Sequence, residues 1–335
     1  MKKAIFLCSN ESSINRVYSN EVKEKLSSEL EFPAEIINRE NIDKYSDFVN
    51  ESSYIFSTWG MIALSKDEIA KYLKNTKAVF YAAGSVQQFA REYLTRGIKI
   101  SSTWVPNGIP VAETTISQIL LSGRGYFRVA QEMKKSRDWR SAAKVSSNYK
   151  GNYNAKVGLI GAGAVGRKVI ELLKYFDIEI FVYDPYLSID EAEQLGAKKL
   201  SLEEMFSQCD IISNHAPNLP ATENMINKTH FALMKDYATF INTGRGQQIV
   251  EADMIAALKN NPTLTALLDV THPEPPNPDS ELYMLENVFM SPHIAGSIGN
   301  EVHRMAEEAY CEYKLFDAED RLNYEVTLPM LESMA

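Results

Sequence analysis

The chain has 335 residues, 45% hydrophobic and 24% charged, the mix of an ordinary globular protein with room for two domains. With 35 basic against 44 acidic residues the net charge is −9, so no global field draws the surface toward nucleic-acid phosphates or anionic lipid, and an anionic ligand needs a local cation. Cys8, Cys209 and Cys311 are far apart and form no CxxC pair, which suggests neither a zinc site nor a disulfide framework and reads as buried thiols in a reducing cytoplasm.

The apolar run from Ala4 to Cys8 stops at Ser9-Asn10-Glu11, too short for a signal-peptide core, and it reads as a first buried strand. No stretch approaches the length of a membrane span. Further strands are expected at Tyr54 to Thr58, Ala78 to Ala82 and Ile98 to Ser101. Helical stretches lie between them at Lys66 to Leu73 and Phe89 to Thr95, the latter closed by Gly97. This alternation implies βαβ units and a parallel sheet.

A long helix is expected from about Val111 to Lys135, with Ile116, Ile119, Leu120, Gly123, Phe127 and Ala130 on one stripe. The polar stretch Lys134 to Asn154 has little periodicity and reads as a surface wrap anchored by Trp139. A second strand series follows at Val157 to Ile160, Glu179 to Tyr183, Asp210 to Ser213, Ala238 to Ile241 and Ala266 to Val270. An amphipathic helix from about Gly299 to Phe316 suits packing back on the first domain. The domains expected are therefore a discontinuous one, residues 1–108 plus 297–335, and an inserted one, residues 109–296.

The strongest local signal is Gly161-Ala162-Gly163-Ala164-Val165-Gly166, which follows an apolar strand and opens the helix Ala164 to Tyr175. Gly161 permits the tight turn, Gly163 lets backbone approach a diphosphate, and Gly166 lets helix and strand pack closely. The next strand ends in Asp184, 18 residues after Gly166, where a carboxylate accepts from ribose hydroxyls and repels a 2′-phosphate. Strand, glycines, helix, strand and acid in that order predict NAD rather than NADP.

Three further segments stand at strand ends: Asn242-Thr243-Gly244-Arg245-Gly246, Thr271-His272-Pro273-Glu274-Pro275, and Ser291-Pro292-His293-Ile294-Ala295-Gly296. Ligands bind at the carboxyl ends of strands in open α/β sheets. Reducing a C2 carbonyl needs a proton donor, a group to orient it and an anchor for the acid. His293 suits the acid/base role, Glu274 its partner, and Arg245 the anchor through forked N–H donors. Taken singly, each has a plainer reading as a capped, solvated or surface residue.

Together with the glycine loop, with Asn214-His215-Ala216-Pro217 through Thr222, and with Val111-Ala112-Glu113, these segments resemble the D-isomer-specific 2-hydroxyacid dehydrogenases. The resemblance spans about Ala78 to Gly296. It implies two doubly wound, Rossmann/flavodoxin-like parallel-sheet domains with a cleft between them, a homodimer formed through the cofactor domain, and D stereochemistry. It further implies that Ala164, Val165, Ala216, Pro217, Thr222, Thr243, Gly244 and Asp269 line the NAD site, with His293 beside them, and that the loop Ala83-Gly84-Ser85-Val86 offers backbone N–H groups to a small anionic substrate. The chain departs from the family pattern at Gln87-Gln88-Phe89, which puts the substrate side-chain pocket in question. His215, His230, His272 and His303 are too dispersed to act as metal ligands, and His272 is expected in solvent. Two alternatives stay open: a dehydrogenase of another small anion such as phosphite or formate, and a non-catalytic NAD-sensing protein.

Overall fold

In the computed structural model, which describes residues 1–332 and 334, the short apolar runs form the strands of two sheets. The sheets belong to two units of the chain, Met1–Gly108 with Ser297–Ala335, and Ile109–Gly296.

In the first unit the strands lie in the spatial order Glu325–Val326, Lys99–Ser102, Ala78–Tyr81, Tyr54–Ser57, Lys2–Phe6, Leu30–Glu31. All are parallel except Glu325–Val326, which runs antiparallel along Lys99–Ser102. The five parallel strands have the flavodoxin-like order. Tyr54–Ser57 and Ala78–Tyr81 are buried at every position, as strands covered on both faces must be. Alternation sends Ile55, Val79 and Tyr81 into one core layer and Tyr54, Phe56 and Phe80 into the other. The helix Glu301–Glu319 covers the second layer through Met305, Ala309, Tyr313 and Phe316.

The second unit has seven parallel strands, in the spatial order Val288–Met290, Thr265–Leu268, Thr239–Asn242, Ile211–Asn214, Ala155–Ile160, Ile178–Tyr183, Lys198–Lys199. This is the Rossmann order, and its direction reverses between Ala155–Ile160 and Ile211–Asn214. The strand ends at that reversal carry Gly161 and His215.

Three expectations need correction. The single helix Val111 to Lys135 is two helices, Trp104–Gly123 and Tyr126–Ser136. They break at Gly125, whose φ is 63° and where a Cβ would stand 2.3 Å from the Tyr149 ring. The apolar stripe keeps its phase across the break, which is why periodicity alone reads as one helix. The stretch after Lys134 contains a helix, Trp139–Ser146, capped by Asp138, whose carboxylate accepts from the N–H groups of Arg140 and Ser141. Trp139 is 76% exposed and so does not pin this stretch into the core. Cys8 and Cys209 are buried, but Cys311 is exposed on the outer side of its helix. Among the described residues no helix is long and apolar enough to cross a membrane.

One buried charge holds the C-terminal part of the first unit in place. Glu312 has no exposed surface, and its carboxylate accepts from Ser101 Oγ (2.8 Å) and from the N–H groups of Asn323 (3.1 Å) and Tyr324 (3.0 Å). Glu312→Ala leaves the buried Ser101 hydroxyl and two partly buried N–H groups without their acceptor and should cost about 3 kcal/mol of stability in urea unfolding. A loss below about 1 kcal/mol, the range of ordinary surface substitutions, would mean that the carboxylate is dispensable.

Candidate functional site

The glycine loop has the geometry its residues demand. Gly161 has φ 95°, and a Cβ there would lie 2.8 Å from the His215 carbonyl oxygen. A Cβ on Gly166 would lie 2.1 Å from the Gly161 carbonyl oxygen. Gly163 has nothing within 4 Å of where its Cβ would be, and it opens the helix Ala164–Leu173 without a side-chain cap. The first N–H groups of that helix are thus left for an anion at the positive end of the dipole. Asp184 closes the loop from the neighbouring strand: Oδ2 accepts from Ala162 N and Oδ1 from Tyr186 N, each at 2.8 Å. Arg167 Nε donates to the Ala162 carbonyl at 2.8 Å.

The next two strand ends are joined by buried amides. Asn214 Nδ2 donates to Asn242 Oδ1 (3.0 Å) and Gln248 Oε1 (2.5 Å). Gln248 Nε2 donates to the carbonyls of Ala216 (2.6 Å) and Pro217 (2.8 Å), and Thr222 Oγ1 also donates to Pro217 O. Thr243 Oγ1 lies 3.4 Å from Thr115 Oγ1 and 3.3 Å from His215 Nδ1. Burial pushes the His215 imidazole pKa down to about 4, so the ring is neutral at physiological pH. Gln248 is fully buried and was missed by sequence reasoning. Its only signal is a polar doublet, Gln247-Gln248, in front of the apolar pair Ile249-Val250.

Arg245, Glu274 and His293 sit in three adjacent loops of this unit. Arg245 is half-buried; its Nη1 donates to the Gly244 carbonyl at 2.7 Å, and it has no ion pair among the described residues. Burial pushes its pKa down, while the Glu274 carboxylate opposes that shift. His293 Nδ1 and Glu274 Oε1 are 2.6 Å apart. That leaves His293 Nε2 free, with both side chains partly exposed at the mouth of a cavity of about 450 Å³. His293 has φ 54°, and Asp269 holds it there. The buried Asp269 carboxylate accepts from Ser291 Oγ (2.6 Å), Ile294 N (2.8 Å) and Ala295 N (2.9 Å), and its backbone carbonyl accepts from His293 N (2.9 Å). His272 is exposed, as expected.

The loop containing Ser85 and Val86 belongs to the other unit. There the backbone carbonyls are turned inward: Thr58 Oγ1 donates to Ala82 O (2.8 Å), and Ser102 Oγ to Ala83 O (2.8 Å) and Gly84 O (2.6 Å). The N–H groups of Gly84, Ser85 and Val86 have no acceptor among the described residues. Asn107 faces Gly84 with its amide nitrogen, and its Oδ1 is buried with no partner among the described residues. Sequence reasoning passed over Thr58, Ser102 and Asn107, although hydroxyls closing apolar strands are a visible sign of a loop that must be held.

A Rossmann sheet with a glycine-loop helix start and a strand-end acid defines a dinucleotide-binding protein. Its family follows from comparison. Residues 116–295 match the model of the D-isomer specific 2-hydroxyacid dehydrogenase NAD binding domain, and the chain belongs to that family. The cofactor of that domain is NAD. The chain is 31% identical over 264 residues to the D-3-phosphoglycerate dehydrogenase of Archaeoglobus fulgidus, covering 78% of this chain and 48% of that one. It is 32% identical over 238 residues to the D-3-phosphoglycerate dehydrogenase of Methanocaldococcus jannaschii, covering 70% and 44%. The chain spans about half the length of these curated relatives. Among solved structures, a phosphoglycerate oxidoreductase from Rhizobium etli superposes with a TM-score of 0.80 at 22% identity, over 95% of each chain. D-2-hydroxyisocaproate dehydrogenase does so with a TM-score of 0.76 at 23% identity, over 97% of this chain and 99% of that one. At these identities the two structures speak for the fold.

Asp184 meets the glycine turn through Ala162 N. Asp184→Ala should therefore weaken NADH binding by about tenfold or more, from one lost charged hydrogen bond upward, and narrow the preference over NADPH. Fluorescence titration of both cofactors checks this, and an unchanged ratio of the two affinities removes Asp184 from cofactor selection.

Proposed function

We propose that this chain interconverts a small 2-keto acid and its D-2-hydroxy acid with NAD. The observation that carries the reading is a 2.6 Å His293–Glu274 pair beside a half-buried Arg245 that has no ion pair among the described residues. Burial of the guanidinium is only partly offset by the Glu274 carboxylate, and an anionic substrate would offset the rest. NAD, when bound, supplies the hydride acceptor or donor. Gly161, Gly163, Ala164, Val165 and Gly166 are the residues we assign to its diphosphate, Asp184 to the ribose, and Ala216, Pro217, Thr222, Thr243, Gly244, Asp269 and His293 to the rest of its length.

In the proposed mechanism His293 is the acid/base group. Glu274 fixes the ring through Nδ1, so Nε2 gives a proton to the C2 oxygen in reduction and takes it back in oxidation. Arg245 binds the acid and polarises its carbonyl through planar N–H donors. In the other unit, the free N–H groups at Gly84, Ser85 and Val86 are our candidates for binding a carboxylate. Asp269 acts through His293, as the residue that positions its loop.

We further assign self-association into a homodimer to the NAD-binding unit. The helix Tyr126–Ser136 is amphipathic yet buries none of its residues, and Tyr126 and Trp139 are 54% and 76% exposed. We take these rings, together with the uncovered apolar side of this helix, as the face a second copy covers. Trp139→Glu should shift the protein toward the monomer mass in light scattering after size exclusion, and an unchanged mass removes this face from the assembly.

The activity is tested by NADH oxidation with pyruvate, hydroxypyruvate, glyoxylate, 2-ketoisocaproate, phenylpyruvate and oxaloacetate. His293→Ala should lower kcat by roughly a thousandfold with NADH binding retained. Arg245→Lys should mainly raise KM, by roughly tenfold or more, because a point charge does not replace a fork. Silence of the native protein across the panel, with NADH bound, overturns the reading.

A further inference from the structure

The loop Gly84–Val86 continues into Gln87-Gln88-Phe89 and then into the helix Ala90–Thr95. Gln87 is exposed, yet both donors of its amide are taken by the far end of the chain. Its Nε2 donates to the Leu331 carbonyl at 2.8 Å, 244 residues away, and to the Met334 carbonyl at 2.6 Å. One turn further on, Arg91 Nη2 meets Glu332 Oε1 at 3.0 Å. The C-terminal segment is also fixed upstream, where Glu325–Val326 pairs with Lys99–Ser102. Its turn Pro329–Glu332 buries Leu331 in the core layer that holds Val86 and Phe89, and Met334 packs against that layer.

An exposed glutamine ordinarily bonds water and keeps its rotamers, because fixing them costs entropy. Here both N–H donors are committed to two backbone carbonyls of one short turn. Gln87 directly follows the last free N–H group of the loop, so the turn it holds is tied to the residue next to that group. Of the side chains this turn leaves in reach of solvent, Pro329, Met330 and Met334 are apolar, and the acidic one, Glu332, is met by Arg91.

We propose that Gln87 is a positioning residue that ties the C-terminal turn to the carboxylate loop, and that this turn selects 2-keto acids with an extended apolar side chain. The inference rests on the reading of Gly84–Val86 as the receiver of the substrate carboxylate. Glyoxylate, which has no side chain, reads the loop alone, whereas 2-ketoisocaproate reads loop and turn together.

The test is steady-state kinetics on the full chain with these two acids and oxaloacetate, alongside NADH titration. The native protein should prefer 2-ketoisocaproate to oxaloacetate in kcat/KM. Gln87→Glu, which keeps the length but removes the donors, should raise the KM for 2-ketoisocaproate about tenfold, the worth of one or two hydrogen bonds. The kcat values and the KM for glyoxylate should stay within about twofold, the pattern of lost ground-state binding. NADH affinity should not move. A chain ending at Pro329 should reproduce the same split. Equal effects on the two acids, or none on either, overturn the proposal, as does a native preference for oxaloacetate. If the native protein binds NADH and turns over no acid at all, the underlying function fails first and the inference falls with it.

Discussion

The carboxylate of Asp269 is the constraint on which the candidate site depends. It stands at the end of a buried strand and gathers three donors from the loop Ser291–Ala295, while its own carbonyl takes the His293 N–H. With both ends of that short loop fixed to one residue, the chain passes through φ 54° at His293, a region that is unfavourable for a residue with a Cβ by roughly 1–2 kcal/mol. The bonds around Asp269 offset that strain, and the outcome is a ring presented to Glu274 with its second nitrogen outward. The histidine's orientation is thus a property of the loop rather than of the side chain.

The other loops are positioned by the same economy of space. A Cβ on Gly246 would stand 2.0 Å from the Thr271 carbonyl carbon, so the Arg245 loop lies directly on the loop that leads to Glu274. Gln248 joins that loop to Ala216 and Pro217, and Asn214 joins both to Asn242. Parallel strands in a Rossmann order bring these loops to one edge, and buried amides fix their spacing where no regular hydrogen-bond ladder can.

Much of this was legible in the sequence because the signals are short-range. The runs at Tyr54, Ala78, Thr239 and Thr265 are mostly apolar and buried at every position, as a strand covered on both faces requires, and their ends fall within a residue or two of expectation. The glycine loop and Asp184 are legible because each glycine answers a steric demand. What escaped depends on partners far away in the chain. The break at Gly125 is set by the Tyr149 ring, and Gln248 is a buried polar residue explained only by the carbonyls it meets. The strand Val288–Met290 is three residues long and only half-buried, too short for any period to show. Trp139 misled because a large apolar residue in a polar stretch suggests burial, whereas here it lies in water.

The donors at Gly84, Ser85 and Val86 are main-chain groups, held by hydroxyls that grip the carbonyls behind them. If an acid binds at this loop as proposed, its attraction is written into the path of the chain and not into any one side chain. No substitution short of proline deletes such a donor, so on that reading the neighbouring positions are at liberty to vary while the hold on a carboxylate persists. A scaffold of this kind can change the body of the molecule it accepts and still hold it by the same end.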